Sequence, residues 1–366
     1  MKHVGLNRFD KPLFICALIL VLSGFVMVLT STFIYASESF ADPYFFLKKH
    51  FAFALVGFAA MMSLSRYDYT KLQKWVFPVF LLTVVLLLIT LIPGIGVSVK
   101  GARRWLNLVF FRFQTSELAK YALILFLANY YRKRQDASES FIKFVLKPMI
   151  FLSPIFILII LQPNFSTVSL LGITALAIMF VAGLRWKHII YISGFVIVAV
   201  VSLIYHKSYR MERVTAFLDP WADPEGKGYQ TIQALIAFSS GGFFGSGLGA
   251  SRQTLFLPEA HNDFVFAIIA EQLGFIGVMG ILSLFFIFIY RGIRIAILAP
   301  DLFGRILVFG IMFIVCVQLL FNVGVVVGLL PVTGLPLPFL SYGGTALISF
   351  MAFTGIVLNV SRSIIK

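Results

Sequence analysis

Long apolar runs alternate with short polar breaks along the whole chain, and the lengths of the runs set the first expectation. Runs can be drawn at approximately 13–35, 48–65, 75–93, 113–131, 145–162, 165–183, 187–206, 264–290, 303–328 and 342–361. Each is close to the roughly 17–25 residues that a helix needs to cross a bilayer. The fourth is the shortest in purely apolar terms, because little follows Lys120, so its helix must begin within Phe110–Glu117. The first, Leu13–Tyr35, follows Lys2, Arg8 and Lys11. It exceeds the roughly 7–15 apolar residues of a secretory leader and reads as a retained span. The pattern predicts an all-α integral membrane protein of about ten transmembrane helices, in one polytopic domain over 1–366. Polar segments are too few for a membrane barrel, so backbone groups at depth must be satisfied within helices.

The breaks carry the remaining information. The longest polar interruption runs from Phe238 to Phe266 and contains Gly245, Gly247, Gly249, Arg252, Gln253, Glu259, His261, Asn262 and Asp263. It ends a large loop, 207–262, whose first part is broken by Pro220, Pro224, Gly226 and Gly228. Residues 229–238 within it suit a short surface helix, with Ile232, Leu235 and Ile236 on one side. A second irregular stretch, Gly328–Gly344, interrupts apolar sequence with Pro331, Pro336 and Pro338. Irregular backbone is not tolerated against lipid, so this stretch must be buried in protein or line a cavity. Such broken segments border binding sites in membrane proteins, although a structural cap is the alternative.

Composition agrees with a membrane class: the chain is 60% hydrophobic and only 12% charged, against roughly 25% charged in soluble domains. The net charge of +15 falls mostly in alternate loops and does not indicate nucleic acid. Placing the amino terminus inside puts Arg66, Lys71, Lys74, Arg132, Lys133, Arg134, Lys143, Lys147, Arg185, Lys187, Arg291, Arg294, Arg305, Arg362 and Lys366 on the cytoplasmic side. This satisfies the positive-inside bias, makes both termini cytoplasmic and puts the 207–262 loop between helices seven and eight outside. The exceptions are Lys100, Arg103, Arg104 and Arg112 before span four, and Lys207, Arg210, Arg213, Lys227 and Arg252 in the large loop. Outward positive charge fits either an anionic ligand gripped by arginine, or snorkelling and pairing with Asp219, Asp223, Glu225 and Glu259. Cys16 and Cys316 both lie in apolar runs, so no disulfide framework is indicated.

Three spots combine charge with apolar surroundings. Asp263 stands where the polar stretch turns apolar, at the mouth of a helix; it reads as an N-cap or as a group with a chemical task. Glu117 and Lys120, at spacing i, i+3, share one helix face and can pair. Glu271, eight residues beyond Asp263, must face the bundle or a wet cavity. His261 with Asp263 is too small a set for a metal. The glycines lack the preceding strand and following acidic residue of a nucleotide-binding turn.

With these residues laid out, the chain resembles the SEDS family (shape, elongation, division and sporulation) of bacterial peptidoglycan glycosyltransferases. The resemblance rests on GARRWLNL at 101–108, QTSELAK at 114–120, DPWADPEGKGYQ at 219–230, SGGFFGSGLGASRQ at 240–253, LPEAHNDFVFAIIAEQLG at 257–274 and GLLPVTGLPLPFLSYGG at 328–344. The wording is nearer the division branch than the elongation branch, with the sporulation branch also close. Departures are Thr115 for a usual proline, Asn262 for a threonine, Asn164 for an aspartate and Ser166 for a glycine.

The resemblance implies polymerisation of lipid II, a disaccharide-pentapeptide on undecaprenyl pyrophosphate, at the outer face of the bacterial cytoplasmic membrane, at the division septum. In that reading Asp263 matches the family's essential loop aspartate, and Glu117 and Lys120 match functional positions. Arg103, Arg104, Arg112, Lys120 and Arg252 are candidates to receive the pyrophosphate, and Glu259 and His261 complete the candidate substrate-contacting set. A divalent cation, magnesium or manganese, could assist the pyrophosphate, but the sequence shows no dedicated metal site. The implied partners are a class B penicillin-binding protein, other divisome proteins and membrane lipid. A flippase for the lipid-linked precursor and a non-catalytic divisome scaffold remain as alternative functions.

Overall fold

The computed structural model describes residues 9–99, 101–108, 111–132, 140–194, 211 and 215–364. Lys100, Lys207, Arg210 and Arg213, and the second half of the predicted seventh span, lie outside these. The described chain is helical along most of its length. Helices α1 (Lys11–Phe40), α2 (Phe45–Arg66) and α3 (Val76–Leu91) are followed by α4 (Thr115–Arg132), α5 (Lys147–Leu161) and α6 (Phe165–Val181). Residues 186–194 are also helical, on the predicted seventh span. Beyond the large loop come α7 (Tyr229–Ser240), the short α8 (Gln253–Phe256), α9 (Val265–Leu298), α10 (Leu302–Val326) and α11 (Gly344–Ile364).

Seven helices among the described residues, some extended by a flanking helical turn, are long and apolar enough to cross a membrane: α1, α2, α3, α5, α9, α10 and α11. The 17-residue α6 is a shorter apolar helix, and α4 starts at Thr115, inside the predicted window. Each predicted span except the partly described seventh therefore has a matching helix. One buried cluster takes residues from all of them, with α4, α9, α10 and α11 at its centre. Between bilayer helices the packing contacts themselves hold the bundle, since lipid tails are as apolar as leucine.

The departure from an all-helical chain is a small antiparallel sheet, β1 (Gly96–Val99), β2 (Ala102–Leu108) and β3 (Phe111–Gln114), in the order β1-β2-β3. Val99 pairs with Ala102 across a tight turn that carries Gly101 at φ 77°. That turn, flanked by Val97, Val99, Trp105, Phe111 and Phe113, is the hairpin signal that helix-length counting passes over.

Polar loops gather at the two ends of the bundle. At one end lie the sheet, the 162–164 turn, the 241–264 loop and the 327–343 segment, all assigned outward by the charge pattern. Arg104 Nε donates to Gln162 O at 3.2 Å, Gln162 Nε2 to Leu87 O at 3.3 Å, and Tyr342 N to His261 O at 2.9 Å. The opposite end is closed by Asp10, which bonds Arg291 and accepts from its own helix at Leu13 N (2.9 Å). There too Asn359 takes a bond from Tyr69 N at 3.0 Å and donates to Ser65 O at 2.9 Å.

Candidate active site

The 238–264 stretch is held against α9 by backbone, at a break in that helix. Gly274 has φ 64° inside α9, so nearby amides and carbonyls lose their helical partners. The glycine loop replaces them: Ser246 N donates to Glu271 O (2.9 Å) and Gly247 N to Gln272 O (3.0 Å). In the other direction Phe275 N donates to Gly242 O at 2.9 Å. A Cβ at Gly245 would lie 2.2 Å from Gln272 O, so only glycine lets the two backbones meet this closely. Buried Glu271 completes the clamp. Its carboxylate accepts from Ser251 Oγ, from Arg252 N at 2.9 Å and from Gln253 N at 3.4 Å. Glu271 thus anchors the start of α8 rather than facing a wet cavity.

The chain then turns through 257–264, with Glu259 at φ 60°, and delivers Asp263 half-buried at the entrance to α9. The N-cap position of α9 is Phe264, one residue later. Asp263 is fixed by its backbone: its N–H donates to Glu259 O at 3.1 Å, and its carbonyl accepts from Asn322 Nδ2 at 2.8 Å. Asn322, on α10, also donates to Leu335 O at 3.1 Å in the broken 327–343 segment. Ser341 Oγ of that segment donates to Asn262 O at 2.6 Å and accepts from Leu337 N at 2.7 Å. The segment passes directly over the aspartate: a Cβ on Gly334 would stand 3.6 Å from Asp263 Oδ2.

One turn away on α10, Gln318 repeats the device. Its Nε2 donates to Pro336 O at 2.7 Å, and its Oε1 accepts from Lys120 Nζ at 3.1 Å. Lys120 Nζ also lies 2.7 Å from Glu117 Oε1, with both residues almost fully buried (1% and 3% exposed). The i, i+3 pair expected from spacing is therefore present. Glu117 Oε2 has no hydrogen-bond partner among the described residues. Lys120 also stands 5.1 Å over the Phe350 ring of α11. From the ion pair to Asp263 runs a connected set of bonds through α10 and the broken segment.

The sheet sorts the arginines. Strand residues two apart share a face, as do residues directly opposite. Asn107 pairs with Arg112 and Trp105 with Gln114, so Arg103 and Arg112 fall on one face, and both are exposed. Arg104 points the other way, and its guanidinium bonds both Gln162 O and Pro163 O. Arg252 is exposed at the start of α8. His261 packs among Phe46 (ring centroids 5.4 Å apart), Tyr342 (5.8 Å) and Tyr35 (6.3 Å). Burial there holds its imidazole below the ordinary value of 6.5, with the charge of Glu259 opposing the shift. Among the described residues no three His, Cys, Asp or Glu side chains gather as a possible metal site.

Sequence reasoning missed Gln318 and Asn322. Each is one polar amide inside an apolar run, and the available signal was their i, i+4 spacing, which puts both on one face of α10.

Comparison with known proteins agrees with this architecture. The sequence model described as "Cell cycle protein", which groups FtsW, RodA and SpoVE, matches residues 10–365. A probable peptidoglycan glycosyltransferase FtsW from Geobacter sp. (strain M18) is 42% identical, with 96% of each chain covered. Stage V sporulation protein E of Bacillus subtilis is 40% identical over 96% of this chain and 97% of its own. Among solved structures, a chain from "a peptidoglycan synthase complex" that coordinates polymerization and crosslinking superposes with TM-score 0.80 at 30% identity, covering 97% of this chain and 98% of its own. RodA of Thermus thermophilus, a rod shape determining protein, gives 0.72 at 27% identity, covering 98% of each. The fold, the order of the motifs and these full-length matches together place the chain in the FtsW/RodA/SpoVE family of cell cycle proteins.

Proposed function

We propose that this protein is a peptidoglycan glycosyltransferase that polymerises lipid II at the outer face of the cytoplasmic membrane during cell division, working as a single polytopic unit. The observation that carries the reading is Asp263. A carboxylate is held by its backbone from α10, under an open glycine of the broken segment, at the end of the bundle that collects exposed arginines. Relatives named as glycosyltransferases of this kind support it.

In this mechanism one Asp263 oxygen takes the proton from the acceptor sugar's 4-hydroxyl. The freed oxygen electron pair forms the bond to the donor's anomeric carbon. The bond from that carbon to the pyrophosphate oxygen breaks, and its electron pair leaves with undecaprenyl pyrophosphate. Charge grows on that leaving group, and positioned cations stabilise it. Arg103 and Arg112, sharing a face of the sheet, and Arg252 are free to reach outward for this role. Arg104 and Lys120, engaged with the 162–163 turn and with Glu117 and Gln318, are assigned to holding the site. Glu259 and His261 shape the turn that presents Asp263. The solved relative from a synthase complex supports a transpeptidase partner, here a class B penicillin-binding protein, and through it other divisome proteins at the septum.

The test is glycan polymerisation by purified protein supplied with lipid II, comparing wild type with Asp263→Asn. A general base contributes about 10²- to 10⁴-fold, so the Asn variant, with an unchanged unfolding temperature, loses at least about 100-fold in polymer. Near-normal polymer from a well-folded Asn variant removes Asp263 from this role. A wild type that translocates lipid II without polymerising it indicates the flippase. Division supported by the Asn variant indicates the scaffold.

A further inference from the structure

At the end of the bundle opposite Asp263, a cavity of about 310 Å³ opens between α3, α4 and α5. It has two chemically distinct halves. Its rim is polar, formed by Gln73 and Lys74 just before α3 and by Asn129 and Tyr130 in the last turn of α4. Arg132 donates to the Gln73 side-chain oxygen, leaving the amide nitrogen as that residue's donor to the cavity. Tyr130 is held by a bond from its hydroxyl to Lys143 O at 2.6 Å. The other wall is aromatic: Phe126 and Phe151 stack with ring centroids 4.5 Å apart and planes within 1°. Phe80 backs them, 4.5 Å from Phe151. Phe77, on the outer edge, is 61% exposed.

A ligand for such a site is amphiphilic. The polar half lies at the basic end of the bundle, where Arg66, Lys71, Lys74, Arg132, Lys143 and Lys147 collect. Trp75, next to Lys74 and 52% exposed, marks the headgroup level, where amphipathic rings collect. The volume is at the small end of ligand sites, roughly 300–1,000 Å³, enough for a glycerol phosphate headgroup and the first carbons of its chains. Basic pockets between bilayer helices on the cytoplasmic side take anionic lipid headgroups.

We propose that this cavity is a binding site for an anionic phospholipid of the cytoplasmic leaflet, with its phosphate at Lys74, Gln73 and Asn129 and its upper acyl chains against Phe77, Phe126 and Phe151. The site is remote from Asp263, and its occupancy does not depend on the reaction assigned there.

The test is native mass spectrometry of the delipidated full-length protein in detergent, titrated with phosphatidylglycerol or phosphatidylcholine of identical chains. The first phosphatidylglycerol binds at least about fivefold tighter than the first phosphatidylcholine, the ratio expected for one basic residue at a charged headgroup. Lys74→Glu abolishes that preference. Lys71→Glu makes the same charge change on the same face but outside the cavity, and it retains the preference. Phe77→Ser weakens the first binding event of both lipids. Equal affinity for the two lipids overturns the proposal, as does an equal loss from Lys71→Glu and Lys74→Glu, which would assign the effect to diffuse surface charge. Unfolding temperatures confirm that the variants are folded; Lys74 and Phe77 are both exposed, so the fold tolerates the changes.

Discussion

Asn322→Leu tests whether α10 sets the position of the proposed base. Leucine keeps most of the volume and the helix propensity but deletes the amide. Two carbonyls then lose their donor, Asp263 O at 2.8 Å and Leu335 O at 3.1 Å. In a water-soluble core an unpaired buried group costs about 1–3 kcal/mol, so the two together would threaten the fold. Between bilayer helices such bonds average about 0.6 kcal/mol and reach about 1.7, because the unfolded chain in lipid finds other partners. The second scale applies here, since α10 is a spanning helix. The stability loss is then about 1–3 kcal/mol, which loosens the loop without unfolding the bundle. Catalysis is more sensitive: a displacement of about 1 Å costs about 100-fold in rate. The expected outcome is a folded protein with a slightly lower unfolding temperature and roughly 100-fold slower lipid II polymerisation. Asn322→Gln retains a donor at greater reach and falls between. A folded Leu variant with normal turnover would show that this clamp does not position Asp263.

Glu117 and Lys120 form one unit, so Glu117→Gln, Lys120→Met and the pair, measured as polymer per folded protein, give a non-additive cycle; additive losses would show independent roles. For His261 the folded pKa is below its unfolded value, so its contribution to stability is intact above about 6.5 and is lost as pH falls below that. Wild-type unfolding temperature therefore drops more between pH 7.5 and 5.5 than that of His261→Asn, and parallel curves would remove His261 as the cause. Single cysteines at Gly226 and Lys143, with Cys16 and Cys316 replaced, should react with an impermeant thiol reagent from opposite sides of the membrane; labelling from one side contradicts the charge-derived orientation.

Much of the bundle was legible because a bilayer imposes one strong rule. Each spanning segment must satisfy its own backbone, so run length reads directly as helix. The sheet was harder, since its strands are short and few of their positions are buried, leaving little periodicity beyond the turn at Gly101. The break at Gly274 was hidden for a different reason. Apart from Glu271 and Gln272 the sequence around it is apolar and carries no local sign of a break, and the kink is stabilised by backbone bonds to a loop some thirty residues earlier, such as Phe275 N to Gly242 O. Asp263, Glu117 and Lys120 announced themselves as charges against an apolar background. Gln318 and Asn322 did not, because each is a single uncharged side chain in a run that stays apolar enough to span despite it. Arg103, Arg104 and Arg112 look equivalent in the sequence, and only strand pairing separates the inward one from the other two.

The buried pair itself needs a reason, because such pairs are weak evidence for stability. Removing two charges from water costs several kcal/mol per ion, and well-packed apolar residues often serve as well or better. Here the pair does something that leucine or methionine would not. A glutamine amide can sit in either of two orientations, and the carbonyl of Pro336 accepts only from its nitrogen. Lys120 has donors and no acceptor, so its 3.1 Å contact obliges Gln318 to turn its oxygen inward. The nitrogen then faces Pro336, at 2.7 Å. Glu117 holds the ammonium in place at 2.7 Å. The ion pair thereby fixes one of two amide orientations, and that orientation fixes the segment lying over Asp263. Such a pair is retained for the unique arrangement it enforces, and its loss is felt in turnover before it is felt in folding.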